Sequence, residues 1–237
     1  MLGFLVPNIV LAQEIKADSS SRQIAFNAPR TFFNKGIKQQ SWLYNGPAYD
    51  GAQPRITGSP YFNTEANFTS GTVRYDGFVY QSIPLKYDIY EDKLISVLAN
   101  GISMFSLIPE KVSDFYLYQH HFKYIKADDA MLNSPLKSGF YDMIYEGKIK
   151  LLAKREARVQ STTNNFGFEN FFVQKTNYFL EKDNTYYRIS NESSFLKLFK
   201  EKRTELKQHL KAQKVKFKKD PEQAMKILVA HYESLPN

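Results

Sequence analysis

From Gly71 onward the chain runs in short apolar alternations broken by compact turn dipeptides. Leu85, Tyr87 and Ile89 alternate with Lys86, Asp88 and Tyr90, which predicts a strand with one buried and one wet face. Asp76-Gly77, Asn100-Gly101, Glu146-Gly147 and Asp183-Asn184 each sit between two such runs. Asx-Gly pairs take the positive φ of a two-residue hairpin, so four antiparallel hairpins are expected. Examples are Gly139 to Tyr145 with Lys148 to Lys154, and Tyr178 to Leu180 with Tyr186 to Ile189. A second apolar run passes from Ile102 through Ile108 to Val112, Phe115 and Leu117.

The period changes near Glu192. Phe195, Leu198, Phe199, Leu206 and Leu210 recur at helical spacing, predicting one amphipathic helix from about Glu192 to Gln213. Asp220-Pro221-Glu222-Gln223 then reads as an N-cap, a proline at the first helical position and an acidic first turn. Ala224, Ile227, Leu228, Tyr232 and Leu235 form the expected apolar face of this second helix. The fold class is therefore α+β: an antiparallel, aromatic-rich β-sheet, as a sandwich or partly open barrel, followed by two C-terminal amphipathic helices. Sixteen Tyr and nineteen Phe against one Trp favour such a sheet.

Four regions follow from these shifts: 1–12, 13–57, 58–190 and 191–237. The first is an uncharged apolar run from Leu2 that ends in Val10-Leu11-Ala12 before polar Gln13 and Glu14, the pattern of a secretory signal's tail. No Lys or Arg precedes it, so it reads as a truncated signal, with a short buried strand or helix as the alternative. Pro7 and Asn8 argue against a membrane-spanning helix. An exported chain beginning near Gln13, periplasmic or extracellular, is expected, and the absence of cysteine is compatible with this. The second region is a polar, partly irregular leader, anchored in its later part by Phe32, Phe33, Trp42 and Tyr44. The third is the β domain, and the fourth is a helical hairpin packed on it.

Asn45-Gly46, Gly58-Ser59-Pro60-Tyr61-Phe62, Gly71-Thr72-Val73-Arg74-Tyr75-Asp76-Gly77 and Ile83-Pro84-Leu85-Lys86-Tyr87-Asp88 resemble segments of a family of exported proteins of Bacteroidota-type bacteria with no established activity. Gly139-Phe140-Tyr141-Asp142, Tyr145-Glu146-Gly147-Lys148, Tyr186-Tyr187-Arg188-Ile189 and Lys219-Asp220-Pro221-Glu222 extend the resemblance to about residues 45–235. It implies export and a shared architecture, and carries no site residue.

Candidate chemistry is sparse. His120 and His121 fall on opposite faces of a strand and cannot readily share a metal. His209 and His231 sit on separate helices as packing residues. Asp88, Glu91, Asp92, Asp128 and Asp129 are the acidic groupings of the β region; Glu91-Asp92 and Asp128-Asp129 read as solvated turns, and a glycosidase pair from distant strands is the alternative. Ser134 to Lys137 and Ser194 to Lys197 match Ser-x-x-Lys without its companion motifs. No catalytic, cofactor-binding or metal residue is assigned.

Charge is uneven: of the net +8, +5 lies beyond Asn191. The basic stretch Lys197 to Lys219 is the remaining candidate, with Lys197, Lys200, Arg203, Lys207 and Lys211 as contacts to an anionic surface and the solvated face of a helix as the plain alternative. Glu201 and Glu205 are expected to pair with neighbouring lysines. Export makes nucleic acid the least expected partner, leaving an envelope protein or an anionic membrane surface touched peripherally. The expectation is a non-catalytic envelope protein of binding or structural type. A periplasmic hydrolase and a lipid or hydrophobic-ligand carrier are the alternatives.

Overall fold

The computed structural model describes residues 43–51, 56–127, 134–164 and 167–235. The signal-like segment, Phe32, Phe33 and Trp42, and the Asp128-Asp129 turn lie outside the described residues.

Eleven strands form one open sheet: β1 (Ile56–Thr57), β2 (Thr69–Tyr75), β3 (Phe78–Asp88), β4 (Lys93–Val97), β5 (Met104–Ser106), β6 (Val112–Leu117), β7 (His120–Ile125), β8 (Gly139–Glu146), β9 (Lys150–Asn164), β10 (Gly167–Lys182) and β11 (Thr185–Ile189). The order is β1-β10-β9-β8-β7-β6-β2-β3-β4-β5, with β11 also on β10. All the pairings are antiparallel except β1 with β10. The four expected hairpins form. At Asp76-Gly77 and Asp183-Asn184 both turn residues have positive φ (50° and 81°, 52° and 57°), the signature of a turn whose twist matches its strands.

The sheet curls until strands far apart in its order meet. The Ala157 amide of β9 donates to the Ile89 carbonyl just beyond β3 at 3.0 Å. Lys154 of β9 reaches Asp92, in the β3–β4 turn, at 2.5 Å. The space enclosed is filled by aromatic rings. Phe115 and Phe122, directly paired across β6 and β7, stack at 4.7 Å, and Tyr87 and Phe62 meet Phe122 edge-on at 5.0 and 5.2 Å. Each such pair adds about 0.5–1.5 kcal/mol beyond its buried area.

The outer side of the last part of β3 is not wet, contrary to the alternation. Lys86 and Asp88 are buried, because residues 47–49 run beside β5 and the segment around Tyr61 crosses over them. The Lys86 amine lies between the Tyr61 and Phe68 rings at 4.5 and 4.4 Å, and burial pulls it below the ordinary lysine range. Asp88 accepts from Tyr49 Oη at 2.6 Å and from the Tyr90 and Glu91 amides. Tyr44, the one described member of the expected anchoring cluster, meets Phe105 edge-on at 5.2 Å.

The helical run after β11 covers Glu192–Ala212, close to the expected stretch, and is interrupted within it. It comprises α1 (Glu192–Leu196), a 3-10 stretch over Lys197–Lys202 broken at Phe199 (φ −128°, ψ 48°), and α2 (Arg203–Ala212). The break turns Phe199 onto Tyr232 (4.5 Å), and Lys182 Nζ donates to the freed Leu198 carbonyl at 3.2 Å. The last helix, α3 (Pro221–Ser234), starts as its sequence dictates: Asp220 Oδ1 accepts from the Gln223 amide at 3.0 Å. Its buried face is Ala224, Met225, Leu228 and Val229, rotated from the expected one so that Ile227, Tyr232 and Leu235 are only half-buried. The helices share a core with Leu151, Leu180 and Ile189 of β9, β10 and β11. Among the described residues no helix is long and apolar enough to cross a membrane.

His209 and His231 join α2 to α3 by stacking on one another, centroids 3.7 Å apart and planes 7° apart. Burial and the charge of His231 hold His209 below the ordinary histidine range. The unfolded chain then takes up this proton first, so the associated stability is present above about pH 6.5 and is lost as pH falls through the depressed value. Thermal melts should show His209→Gln losing less stability than the parent between pH 7.5 and 5.5. An unchanged pH dependence would mean that the stack does not couple protonation to folding.

Candidate functional site

The end of α2 and the loop into α3 build a strongly basic concavity. Leu206 and Leu210 face the core and leave the lysines of α2 on its rim. α2 stops without glycine: Gln213 caps it and Lys214 takes φ +56°, its amide donating to the Lys211 carbonyl at 3.1 Å. A non-glycine residue in this left-handed position costs about 1 kcal/mol or more, and glycine is the usual occupant. The chain then inserts Phe217 and turns at Lys219 and Asp220, whose amides both bond the Lys216 carbonyl.

The result is an open groove of about 640 Å³. Leu210, Val215 and Phe217 form its apolar lining; Lys207, Lys211, Lys214, Lys216 and Lys218 surround it, and Glu192 is its one acid. Among the described residues none of these five lysines takes part in an ion pair. The expected pairing of Glu205 occurs with Lys202, at 4.0 Å; among the described residues Glu201 takes part in no ion pair. The groove can therefore offer its positive field to an anion over a floor in which Leu210 and Phe217 are buried and Val215 half-buried.

Of the five lysine and arginine positions singled out in the sequence, Lys207 and Lys211 lie in this groove. Lys197 and Lys200 line a separate cleft of about 150 Å³ with Lys182, Lys202, Glu201 and Tyr232. Exposed Arg203 lines neither. The single basic strip is thus divided, because the break at Phe199 turns the first helical segment away from the second. Lys214, Lys216 and Lys218, absent from the five, complete the groove; their alternation with Val215 and Phe217 is the signal that marks them.

A further cleft, of about 420 Å³, lies where Phe217, Pro221 and Met225 face Thr176, Tyr178 and Ile189. Lys175 and Arg188 also line it, and no carboxylate does. Behind it Arg155 links sheet to helix: Nε donates to Asp142 at 3.0 Å, Nη2 also contacts Asp142, and Nη1 meets Glu222 of α3 at 2.9 Å. Burial alone would lower the Arg155 pKa, but Glu222 and Asp142 raise it. Tyr178 donates to Glu222 at 3.2 Å; burial first, and that carboxylate second, push its phenol up to about 12.

The histidines of β7 do face opposite ways. His120 Nδ1 meets Asp142 Oδ2 at 2.8 Å, with its ring edge-on to Phe62. His121 stacks on Tyr116 at 4.2 Å and bonds Glu146 Oε1 at 2.9 Å. Its Nε2 lies 3.6 Å from Asp114, too far for a hydrogen bond, and is buried without a partner. A His–Asp contact is one half of a nucleophilic dyad. Among the described residues no serine or threonine hydroxyl is bonded to either ring, and no group of three or more His, Asp or Glu is placed to hold a metal.

The other candidates are structural here. Asp92 is not a solvated turn residue: it accepts from Tyr87 Oη at 2.5 Å and from the Phe140 amide, and holds Lys154. Ser194 closes a capping box, its hydroxyl donating to the Asn191 carbonyl at 2.7 Å and accepting from the Ser190 and Asn191 amides. Ser134 Oγ accepts from the Leu136 amide. Each of the three clefts holds at most one carboxylate, where glycoside hydrolysis needs two facing each other.

No family model, curated protein or solved structure matches this chain.

Proposed function

We propose that this is an exported, non-catalytic envelope protein that binds an anionic lipid surface through the lysine groove of its C-terminal hairpin. The observation that carries the reading is the groove itself, with five lysines that among the described residues take part in no ion pair and one glutamate opposed to them. Export is supported by the signal-like run before Gln13 and by the family resemblance. We read the curled sheet as a partly open barrel, a rigid support whose wall carries the helices, on the strength of the Ala157–Ile89 contact.

A lysine near an anionic bilayer contributes about 1 kcal/mol. Removing three with Lys207→Gln, Lys211→Gln and Lys214→Gln should weaken binding to phosphatidylglycerol vesicles roughly 100-fold. Co-sedimentation at low salt measures this, with phosphatidylcholine vesicles as the control; the parent's binding should decline as salt is raised. Equal binding by parent and triple variant, or equal binding to both lipids, would rule the groove out as the site.

A further inference from the structure

We infer that the outer edge of β10, in the gap between the ends of β1 and β11, takes an extended acidic peptide as an added strand. The site is separate from the lysine groove and does not rest on the lipid-surface reading. Gly167 pairs with Asn164 at the closed end of the β9–β10 hairpin, and Lys182 with Thr185 at the β10–β11 turn. Closing pairs of two-residue hairpins exchange both backbone bonds, so odd-numbered residues of β10 bond to β9 and even-numbered ones turn their amides and carbonyls outward. Gly58 sits against Phe172 N and O, 3.7 and 3.6 Å from where a side chain on it would begin, and Ile189 pairs with Tyr178. Between these two positions Gln174 and Thr176 have no backbone partner on that edge among the described residues.

Side-chain bonds hold both flanking strands away from this gap. The chain after β1 bends across the inner face, where Gln174 Nε2 donates to the Tyr61 carbonyl at 2.8 Å. β11 ends because the Ser190 and Asn191 amides turn to Ser194 Oγ, both at 3.0 Å, at the start of α1. From Phe172 to Tyr178 the edge runs about 20 Å, room for a segment of about five residues. Two amides and two carbonyls await it there, the template that strand addition uses. Charge beside the gap selects the partner. Arg188 Nη2 donates to Asn177 Oδ1 at 3.1 Å, and Lys175 shares that outer face by strand alternation. Neither cation takes part in an ion pair among the described residues. Glu156, opposite Lys175 on β9, is engaged by Arg158 at 3.1 Å and by Asn177 at 2.8 Å. A carboxylate on the added strand opposite Asn177 would lie one alternate position from both Lys175 and Arg188. The cleft of about 420 Å³ lies against the same edge and has no carboxylate in its lining.

The test uses the full chain and two capped hexapeptides, one of alternating valine and glutamate, the other with lysine in place of glutamate. NMR titration gives affinity, and amide exchange gives location. At saturation the acidic probe should slow exchange of the Gln174 and Thr176 amides at least about tenfold. Lys175 and Asn177, already bonded to β9, should not change. The acidic probe should bind about tenfold tighter than the basic one. Thr176→Pro costs no bond to β9, because the amide it removes points outward, and should abolish binding. It should keep the parent's melting transition and vesicle binding, which separates loss of the site from loss of the fold. Lys175→Gln leaves the backbone edge intact and should narrow the preference for the acidic probe without abolishing its binding. Equal affinity for the two probes, no binding of either, or binding undiminished by Thr176→Pro would overturn the inference. So would loss of acidic-probe binding on combining Lys207→Gln, Lys211→Gln and Lys214→Gln, which would place the peptide in the lysine groove.

Discussion

Arg155→Met should lower the unfolding free energy by about 3–5 kcal/mol, the cost of stranding a buried charge by removing its partner. The Asp142 side chain is only 2% exposed, and among the described residues the His120 ring is its one other ionisable contact. Glu222 loses the same guanidinium, so the change also removes one of the polar links between α3 and the sheet. For a folded region of this size each kcal/mol shifts the melting temperature about 2–4 °C, so a fall of roughly 10 °C is expected. Adding Asp142→Asn should recover part of the loss, since an amide is less costly to bury than a stranded carboxylate. A drop below about 1 kcal/mol in the single variant would show that water solvates Asp142 and that Arg155 does not hold sheet and helix together.

Phe122→Ala should cost a similar amount, about 3–5 kcal/mol, by a different route. The ring stacks on Phe115 and is met edge-on by Tyr87 and Phe62, so its removal opens a cavity where β3, β6 and the Phe62 segment converge. Chemical denaturation is the suitable measurement: the midpoint should fall while the slope is retained, because the surface exposed on unfolding barely changes. Phe122→Leu should recover about half the loss, as it refills most of the volume without the aromatic geometry. If both variants lost equally, packing volume would not be what the ring supplies.

The parts of this fold that were legible in advance are those with a local chemical signature. Asp76-Gly77 and Asp183-Asn184 announce their hairpins because those residue types tolerate positive φ. Asp220-Pro221 announces α3 because a carboxylate cap and a proline suit only a helix start. The turn between β6 and β7 carries no such mark: Tyr118 adopts φ +56° there, held by the pairing of Leu117 with His120. The far halves of β9 and β10, through Ser161-Thr162-Thr163 and Phe168-Glu169-Asn170, lack alternation because that part of the hairpin does not cover a core.

The site was legible to the same degree. Its excess of lysine could be counted, but dividing the lysines between two clefts required the break at Phe199, which arises from tertiary contacts with Tyr232 and Lys182. Asp88 and Lys86 were misjudged for a related reason. The segments that bury them, around Tyr49 and Tyr61, are distant in sequence, so strand alternation alone cannot reveal the second covered face. The Asp142–Arg155 link had a fainter signal. Pairing Glu146 with Lys150 across the hairpin would put Lys154 opposite Asp142; the bulge between Met143 and Tyr145 brings Ala153 there instead, with Arg155 two residues further along the same face.

Hydrogen exchange of the full chain with and without phosphatidylglycerol vesicles tests the central claim most directly. Binding through the groove predicts slowed exchange concentrated at the end of α2 and over Lys214 to Lys219, with little change in the β9–β10 hairpin around the exposed Phe168. Protection centred on that hairpin, or none anywhere under conditions where the protein sediments with the vesicles, would contradict it.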